Sequence, residues 1–233
     1  MLEVLHCDNH LLAVAKPACV PVVPDDSGDA SLLDDAKAWV AAEFAKPGAV
    51  FLGVVHRLDR PVSGVTLFAR TSKAAARLSE QFRTGRVRKT YWALCAGEPS
   101  AGEGTAEQWL LKDERANRVR VVAPGTAGAK LAVTHWRVLA GADGGAWLEL
   151  RPQTGRAHQI RVALASLGCP ILGDLKYGAV EPLADRSIAL HAWRLEVEHP
   201  TRREPVILEC PPPPARWWTR AIPGAGGAGP VSP

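Results

Sequence analysis

The stretch Gly53–Thr71, GVVHRLDRPVSGVTLFART, decides how the rest of the chain is read. The apolar run that closes at Val55 predicts one strand and Val65–Ala69 predicts a second. HRLDRPVSG between them is an irregular connection, because Pro61 and Gly64 interrupt regular backbone pairing. Asp59 is the one acid in that connection and sits between Arg57 and Arg60. Opposite charge close by favours the ionised carboxylate, which suits a nucleophile or an electrostatic base better than a neutral general acid. A plain loop salt bridge would leave the same pattern. His56 could act as acid or base, although a lone histidine ahead of such a loop is more often structural. Ser63 lacks convincing His and Asp partners, and VSGV is not the G-x-S-x-G nucleophile elbow, so serine hydrolase chemistry is set aside.

Downstream, Thr71 or Ser72 opens a helix carrying Ala75, Leu78 and Phe82 on one side and ending at Gly85. VRKTYWALCAG then reads as a strand with Val87, Lys89, Tyr91, Ala93 and Cys95 on one face. A lysine beside a tyrosine on a mainly apolar face points to a lined cleft. Upstream, LEVLHCDNHLLAVAKP gives two short strands around Asp8-Asn9, halted by Pro17. After a polar loop over residues 21–30, Ser31 caps a helix running to about Phe44, with Asp34 as a weak capping-box partner. Residues 97–129 form a hairpin-rich excursion in which Ala106–Leu111 pairs with Val119–Val122. Strands resume at Leu131–Leu139 and Ala146–Leu150. HQIRVALASLG predicts a helix buried along Ile160, Leu164 and Leu167, with His158 and Arg161 on another shared face. Strands over Ile188–Val197 and Val206–Cys210 complete a mixed α/β (α+β) domain expected to span residues 1–214, and residues 221–233 are expected to form a flexible tail.

Composition narrows the class. Hydrophobic residues make up 47% and charged residues 22% of the chain, which excludes a disordered polyelectrolyte. Charges break every apolar run well short of a membrane span, and the opening MLEVLHCDNH lacks a basic leader, so the expected address is the cytoplasm. The five cysteines are too far apart for a zinc knuckle or a redox pair and read as reduced structural thiols. Charge is uneven: residues 1–50 carry three Lys against eight acids, while residues 51–90 carry nine Lys or Arg against Asp59 and Glu80. Folded into one surface, the second block would attract a polyanion. A solvated basic face without a partner is the plainer reading.

The motif blocks carry a more specific signal. HRLDRPVSG resembles the HRLDRxTSG signature of the RluA family of RNA pseudouridine synthases. The similarity continues, in family order, through HLLAVAKPACVPVV, RVRKTYWALCAG, RPQTGRAHQIRVALASLGCPILGDLKYG and LHAWRLEVEHP, spanning about residues 4–210. The resemblance implies a catalytic domain built on mainly antiparallel sheet with flanking helices and a central RNA-binding cleft. It implies isomerisation of uridine to pseudouridine in structured RNA, ribosomal or transfer, with no cofactor and no metal. It resembles the short form without an S4-like RNA-binding module, and is expected to act as a monomer with no obligatory protein partner and no membrane.

By the same resemblance the essential aspartate falls on Asp59, the tyrosine that stacks beneath the base on Tyr91, and the arginine that pairs with the carboxylate on Arg161. Arg57 is expected to help displace the target base. His56, Arg60, Lys89, Arg156 and His158 join it as candidate substrate contacts. Asp174 is read as a loop organiser, and Lys176 and Tyr177 as RNA-lining or exposed turn residues alike. The chain departs from the family pattern at Val62, Ala157, Ala163 and Cys169, and at Cys19, where glycine is familiar. Two other functions fit parts of the pattern: an RNA-binding protein with an inactive pocket, and a nucleoside glycosylase. Whether Asp59 attacks the sugar or removes a ribose proton stays open.

Overall fold

Asp8 closes the first hairpin as its place between two apolar runs suggests. Its Oδ1 accepts from the His10 and Leu11 amides at 2.7 and 2.8 Å, turning β1 (Glu3–Cys7) back on β2 (Leu11–Lys16). The computed structural model describes residues 2–142, 144–215 and 217–218, and the expected tail at 221–233 lies outside them. Ser31 caps α1 (Leu32–Glu43), its hydroxyl accepting from the Asp34 amide at 3.2 Å and donating to the Asp34 carboxylate at 2.7 Å. After β3 (Gly53–Val54) and β4 (Ser63–Ala69), Thr71 caps α2 (Ser72–Arg83) through the Ala74 amide at 3.1 Å. There follow β5 (Arg88–Ala96), β6 (Glu103–Asp113), β7 (Arg118–Val122), β8 (Lys130–Ala142), β9 (Gly145–Pro152), α3 (Gln159–Ser166), β10 (Leu190–Glu198) and β11 (Pro205–Glu209).

Among the described residues all eleven strands join one sheet in the order β1-β2-β4-β10-β5-β9-β8-β6-β7, with β11 also on β10 and β3 also on β4. Every pairing is antiparallel except β10 with β4. The fold is therefore the expected mixed α/β one on a mainly antiparallel sheet. The excursion after residue 97 is part of that sheet, and β6 pairs β7 with Leu110 opposite Val121.

Period-two alternation divides the core. Leu12, Val14 and Phe68 face α1 through Leu32, Ala36 and Val40, whereas Leu11, Ala13, Val65 and Leu67 face α2 through Ala74 and Leu78. Strand β4 is thus buried along its whole length, which explains its near-continuous apolar run. Truncating Leu78 or Phe68 to alanine at these fully buried positions would cost roughly 2–5 kcal/mol.

The strand expected up to Val55 is shortened to Gly53–Val54 for a specific reason. Beyond Val54 the chain leaves the sheet, and the His56 imidazole takes over, its Nε2 accepting the Leu67 amide at 2.9 Å. Farther along the same edge of β4, β10 pairs in parallel, with His191 opposite Ser63 and Ala192 opposite Gly64. Gly64 is required there: at φ +122 a Cβ would lie 2.3 Å from the Ala192 carbonyl oxygen. Ser63 secures the junction through its hydroxyl, 2.8 Å from His191 Nδ1.

The basic block of residues 51–90 does not form one free positive surface. Arg60 pairs with Asp25 and Asp29 of the acidic amino-terminal region, Arg70 donates to the Asp8 carbonyl and Arg77 to the Pro200 carbonyl. Between the two segments the acids thus compensate Arg60, while Arg70 and Arg77 are anchored on neutral carbonyls and keep their charge. No helix among the described residues is long and apolar enough to cross a membrane.

Candidate active site

The connection between β3 and β4 is irregular but firmly held. Lys16, at the end of buried β2, donates from Nζ to the Pro17 and Arg60 carbonyls at 2.8 and 3.0 Å. Burial pulls its ammonium down to about 7, against the opposing pull of Cys19 and Asp59. The Cys19 amide donates to the Arg60 carbonyl at 2.8 Å, and Arg60 Nε donates back to the Cys19 carbonyl at 3.2 Å. Cys19 adopts φ 66, the left-handed conformation that favours glycine, the residue the resembled pattern has at this position. Lys16 was not singled out from sequence; a lone lysine closing a fully apolar strand was the available signal.

This loop delivers Asp59 to Arg161 on α3. Arg161 Nη1 donates to Asp59 Oδ2 at 3.0 Å, while Nε and Nη2 donate to the two oxygens of Asp174 at 2.7 and 2.8 Å. The guanidinium is 6% exposed, Asp174 1% and Asp59 29%. Burial opposes the charge of Arg161, but its bonds to Asp174 and the charges of both carboxylates outweigh it and push the guanidinium above its ordinary range. Asp174 is therefore more than a loop organiser. It engages two of the three guanidinium nitrogens and leaves Nη1 to donate to Asp59, a geometry that lysine could not supply. Of the two carboxylates, Asp59 is the one open to solvent.

His158 lies just ahead of α3 at φ 51, with Nε2 3.9 Å from Asp59 Oδ2 and Nδ1 2.7 Å from the Tyr177 hydroxyl. Burial lowers the imidazole from its ordinary value, with Asp59 acting in the opposite sense. The turn that carries it is shaped by Gln159, whose amide donates to the Val133 carbonyl and Thr134 hydroxyl and whose oxygen accepts from the Thr154 hydroxyl and Arg156 amide. Half-buried Tyr91 comes from the middle of β5. Burial and then the Asp59 charge push its phenol above the ordinary range, so it presents a neutral ring and hydroxyl beside the carboxylate.

Asp59, Tyr91 and the His158–Arg161 segment, distant in sequence, are thus brought together. Lys89 and Arg156 line the same side less directly: Lys89 Nζ donates to the Thr154 carbonyl at 2.9 Å and Arg156 Nε to the Leu131 carbonyl at 3.0 Å. Burial and then Arg156 pull the Lys89 ammonium to about 8. Arg57 is exposed and makes no side-chain hydrogen bond among the described residues. Two candidates do not join the group. His56 is turned inward, accepting the Leu67 amide and stacking on Phe82 at 4.8 Å, and burial lowers it to about 4. Arg60 is spent on Asp25, Asp29 and Cys19. Both hold the loop that carries Asp59. Tyr177 is buried at 7% exposure, contrary to the exposed-turn reading. Among the departures, Val62, Ala163 and Cys169 are buried packing residues and Ala157 is exposed.

Behind the Arg161–Asp174 pair opens a cleft of about 550 Å³, with Pro61, Leu183 and Ile188 as apolar walls and Lys176 and Arg186 as basic ones. A carboxylate held by a buried cation, with an aromatic ring beside it and Lys89 and Arg156 on the same side, suits attack on a nucleoside within a polyanion. Residues 10–166 match the RNA pseudouridylate synthase family. An uncharacterized RNA pseudouridine synthase of Zymomonas mobilis is 39% identical over 91% of this chain and 94% of its own length. The tRNA pseudouridine synthase C of Salmonella typhimurium is 35% identical over 90% and 85%. The structure of human RNA pseudouridylate synthase domain containing 4 superposes with a TM-score of 0.77 at 27% identity, covering 94% of this chain and 90% of that one. With its motifs and its fold both matched over nearly the whole chain, the protein belongs to the RNA pseudouridylate synthase family.

Proposed function

We propose that this RNA pseudouridine synthase is of the RluA type, acts on structured transfer or ribosomal RNA, and uses Asp59 as its reacting carboxylate. The observation that carries this reading is the buried Arg161 fork, which Asp174 orients so that one N–H is left for the more open Asp59. During isomerisation the bond from C1′ to N1 breaks, uracil turns in place, and C1′ bonds to C5. The C5 proton is lost and N1 gains one, so composition is unchanged. Asp59 can start this either by attacking C1′ or by removing a ribose proton, and Arg161 keeps it anionic for both.

Tyr91 offers a stacking face for a uracil drawn out of its helix or loop, a step that costs a few kcal/mol. Exposed Arg57, Arg88, Arg118 and Arg120 supply phosphate attraction toward that cost. On this reading residues 1–214 form the catalytic domain and the enzyme works as a monomer.

Site-resolved pseudouridine mapping of transfer and ribosomal RNA, with and without the protein, identifies the target. Reconstitution on that transcript then compares the parent with Asp59→Asn. The variant should bind RNA and fold as the parent does but isomerise at least about 100-fold more slowly. A parental single-turnover rate would remove Asp59 from the chemistry.

A further inference from the structure

The β6–β7 hairpin reaches the active site through one hydroxyl. It carries exposed Arg115, Arg118 and Arg120 at and beyond its tip. Its inner side packs Leu110 and Val119 with Ala132, Val162 and Tyr177 in a small core separate from the two main ones. Tyr177 is the polar element of that core. Its hydroxyl accepts the Val119 amide at 2.8 Å and lies 2.7 Å from His158 Nδ1. Its ring sits 5.0 Å from the Arg161 guanidinium carbon and 5.7 Å from that of Arg118. On the far side of the imidazole, Nε2 is 3.9 Å from Asp59.

A phenol has a single proton, and the amide of Val119 already donates to its oxygen. The hydroxyl proton is then directed to the other polar neighbour, Nδ1. A neutral imidazole that accepts at Nδ1 carries its own proton on Nε2, the nitrogen turned toward Asp59. The groups facing this ring are Asp59 from the β3–β4 connection, Arg161 from α3, and Asp174, Lys176 and Tyr177 from the turn at 174–177. The left-handed backbone of His158 fits this role: its side chain makes no capping bond to α3 and is held between Tyr177 and Asp59 instead.

We propose that Tyr177 and His158 are positioning residues for the isomerisation: the hydroxyl, seated by the hairpin, sets the imidazole tautomer that presents Nε2–H to Asp59. The orientation of the carboxylate then depends on how the hairpin is docked, and RNA engaging the basic hairpin acts on the same hydroxyl. The proposal rests on Asp59 being the reacting carboxylate.

Tyr177→Phe keeps the ring that both arginines pack on and removes the hydroxyl. His158→Gln keeps an N–H donor near the Nε2 position, and His158→Leu removes it. With the full chain and tritium-labelled (uridine C5) total transfer and ribosomal RNA from cells lacking the protein, isomerisation is read as tritium release. Tyr177→Phe and His158→Leu should release tritium about 10- to 100-fold more slowly in single turnover, the scale of a small misplacement of reacting groups. RNA affinity should stay within about twofold, and His158→Gln should recover most of the rate. Nitrogen-15 shifts should show His158 protonated on Nε2 in the parent at neutral pH and as mixed tautomers in Tyr177→Phe.

A parental rate in Tyr177→Phe, a parent His158 protonated on Nδ1, or rate losses matched by equal losses of RNA affinity would each overturn the pair. If Tyr177→Phe does not fold, the two His158 variants decide, since that side chain lies outside the hairpin core. If the parent itself releases no tritium, the reaction assignment fails, and the nitrogen-15 tautomer measurement still decides the pair.

Discussion

Replacing Arg161 by methionine removes a guanidinium that is 6% exposed and leaves Asp174, at 1% exposure, without its partner. Two charge-assisted bonds of 2.7 and 2.8 Å disappear from a carboxylate that is almost wholly buried. Breaking a buried pair from one side costs about 3–5 kcal/mol, because the remaining charge stays desolvated. The Asp59 arm adds roughly 0–1 kcal/mol, since that carboxylate is 29% exposed and solvent screens it. Urea denaturation at neutral pH should therefore show Arg161→Met about 3–5 kcal/mol less stable than the parent, with an unchanged denaturant slope. Adding Asp174→Asn removes the stranded charge, so the double variant should regain about 2 kcal/mol or more despite carrying an extra substitution. A double variant as unstable as the single one, or a single variant within about 1 kcal/mol of the parent, would refute the buried fork as the element that orients the site. Arg161→Lys sharpens the point: it keeps the charge but lacks the fork, so it can serve one carboxylate at a time and should lose rate while keeping part of the stability.

Tyr91→Phe should keep RNA affinity but lose rate by about tenfold or more, because the stacking face survives and the protonated hydroxyl beside Asp59 does not. Tyr91→Leu should lose both stability and rate; stopped-flow fluorescence of a base beside the target separates flipping from product formation, and a parental rate in the leucine variant would exclude Tyr91 from the site. His191 donates from Nε2 to the Cys210 carbonyl at 2.7 Å, and burial lowers it to about 4. Its neutral form stabilises the fold fully above the unfolded value near 6.5, and that contribution, up to about 3 kcal/mol, is lost as pH falls from there toward 4. His191→Gln should flatten stability against pH in that window, measured by urea melts, and an unchanged slope would show that His191 is not held neutral.

Capping hydrogen bonds join residues three apart, so Ser31 and Thr71 marked the starts of α1 and α2 before any tertiary structure was considered. Short apolar runs bounded by turn, Pro and Gly residues likewise marked β2 and β4 as strands. They could not assign α1 to the face of Leu12 and α2 to that of Leu11, because both faces of those strands are apolar. The motif blocks pointed to Asp59, Tyr91 and Arg161 through resemblance, and the fold brings them together. They also made His56 and Arg60, neighbours of Asp59 in the same motif, candidate substrate contacts, and the fold directs both side chains elsewhere.

By itself the sequence determined where the chain could turn, cap and alternate, and which residue types were available for chemistry, since those properties depend on near neighbours. Tertiary structure alone decided which charges meet. Asp59 and Arg161 are 102 residues apart, and Tyr177 and Val119 are 58 apart. Coulomb and hydrogen-bond energies depend on distance in space and on exclusion of water. For that reason the acidic amino-terminal block could neutralise Arg60, a turn residue could orient the fork of Arg161, and a hairpin read as peripheral could reach within two side chains of the reacting carboxylate.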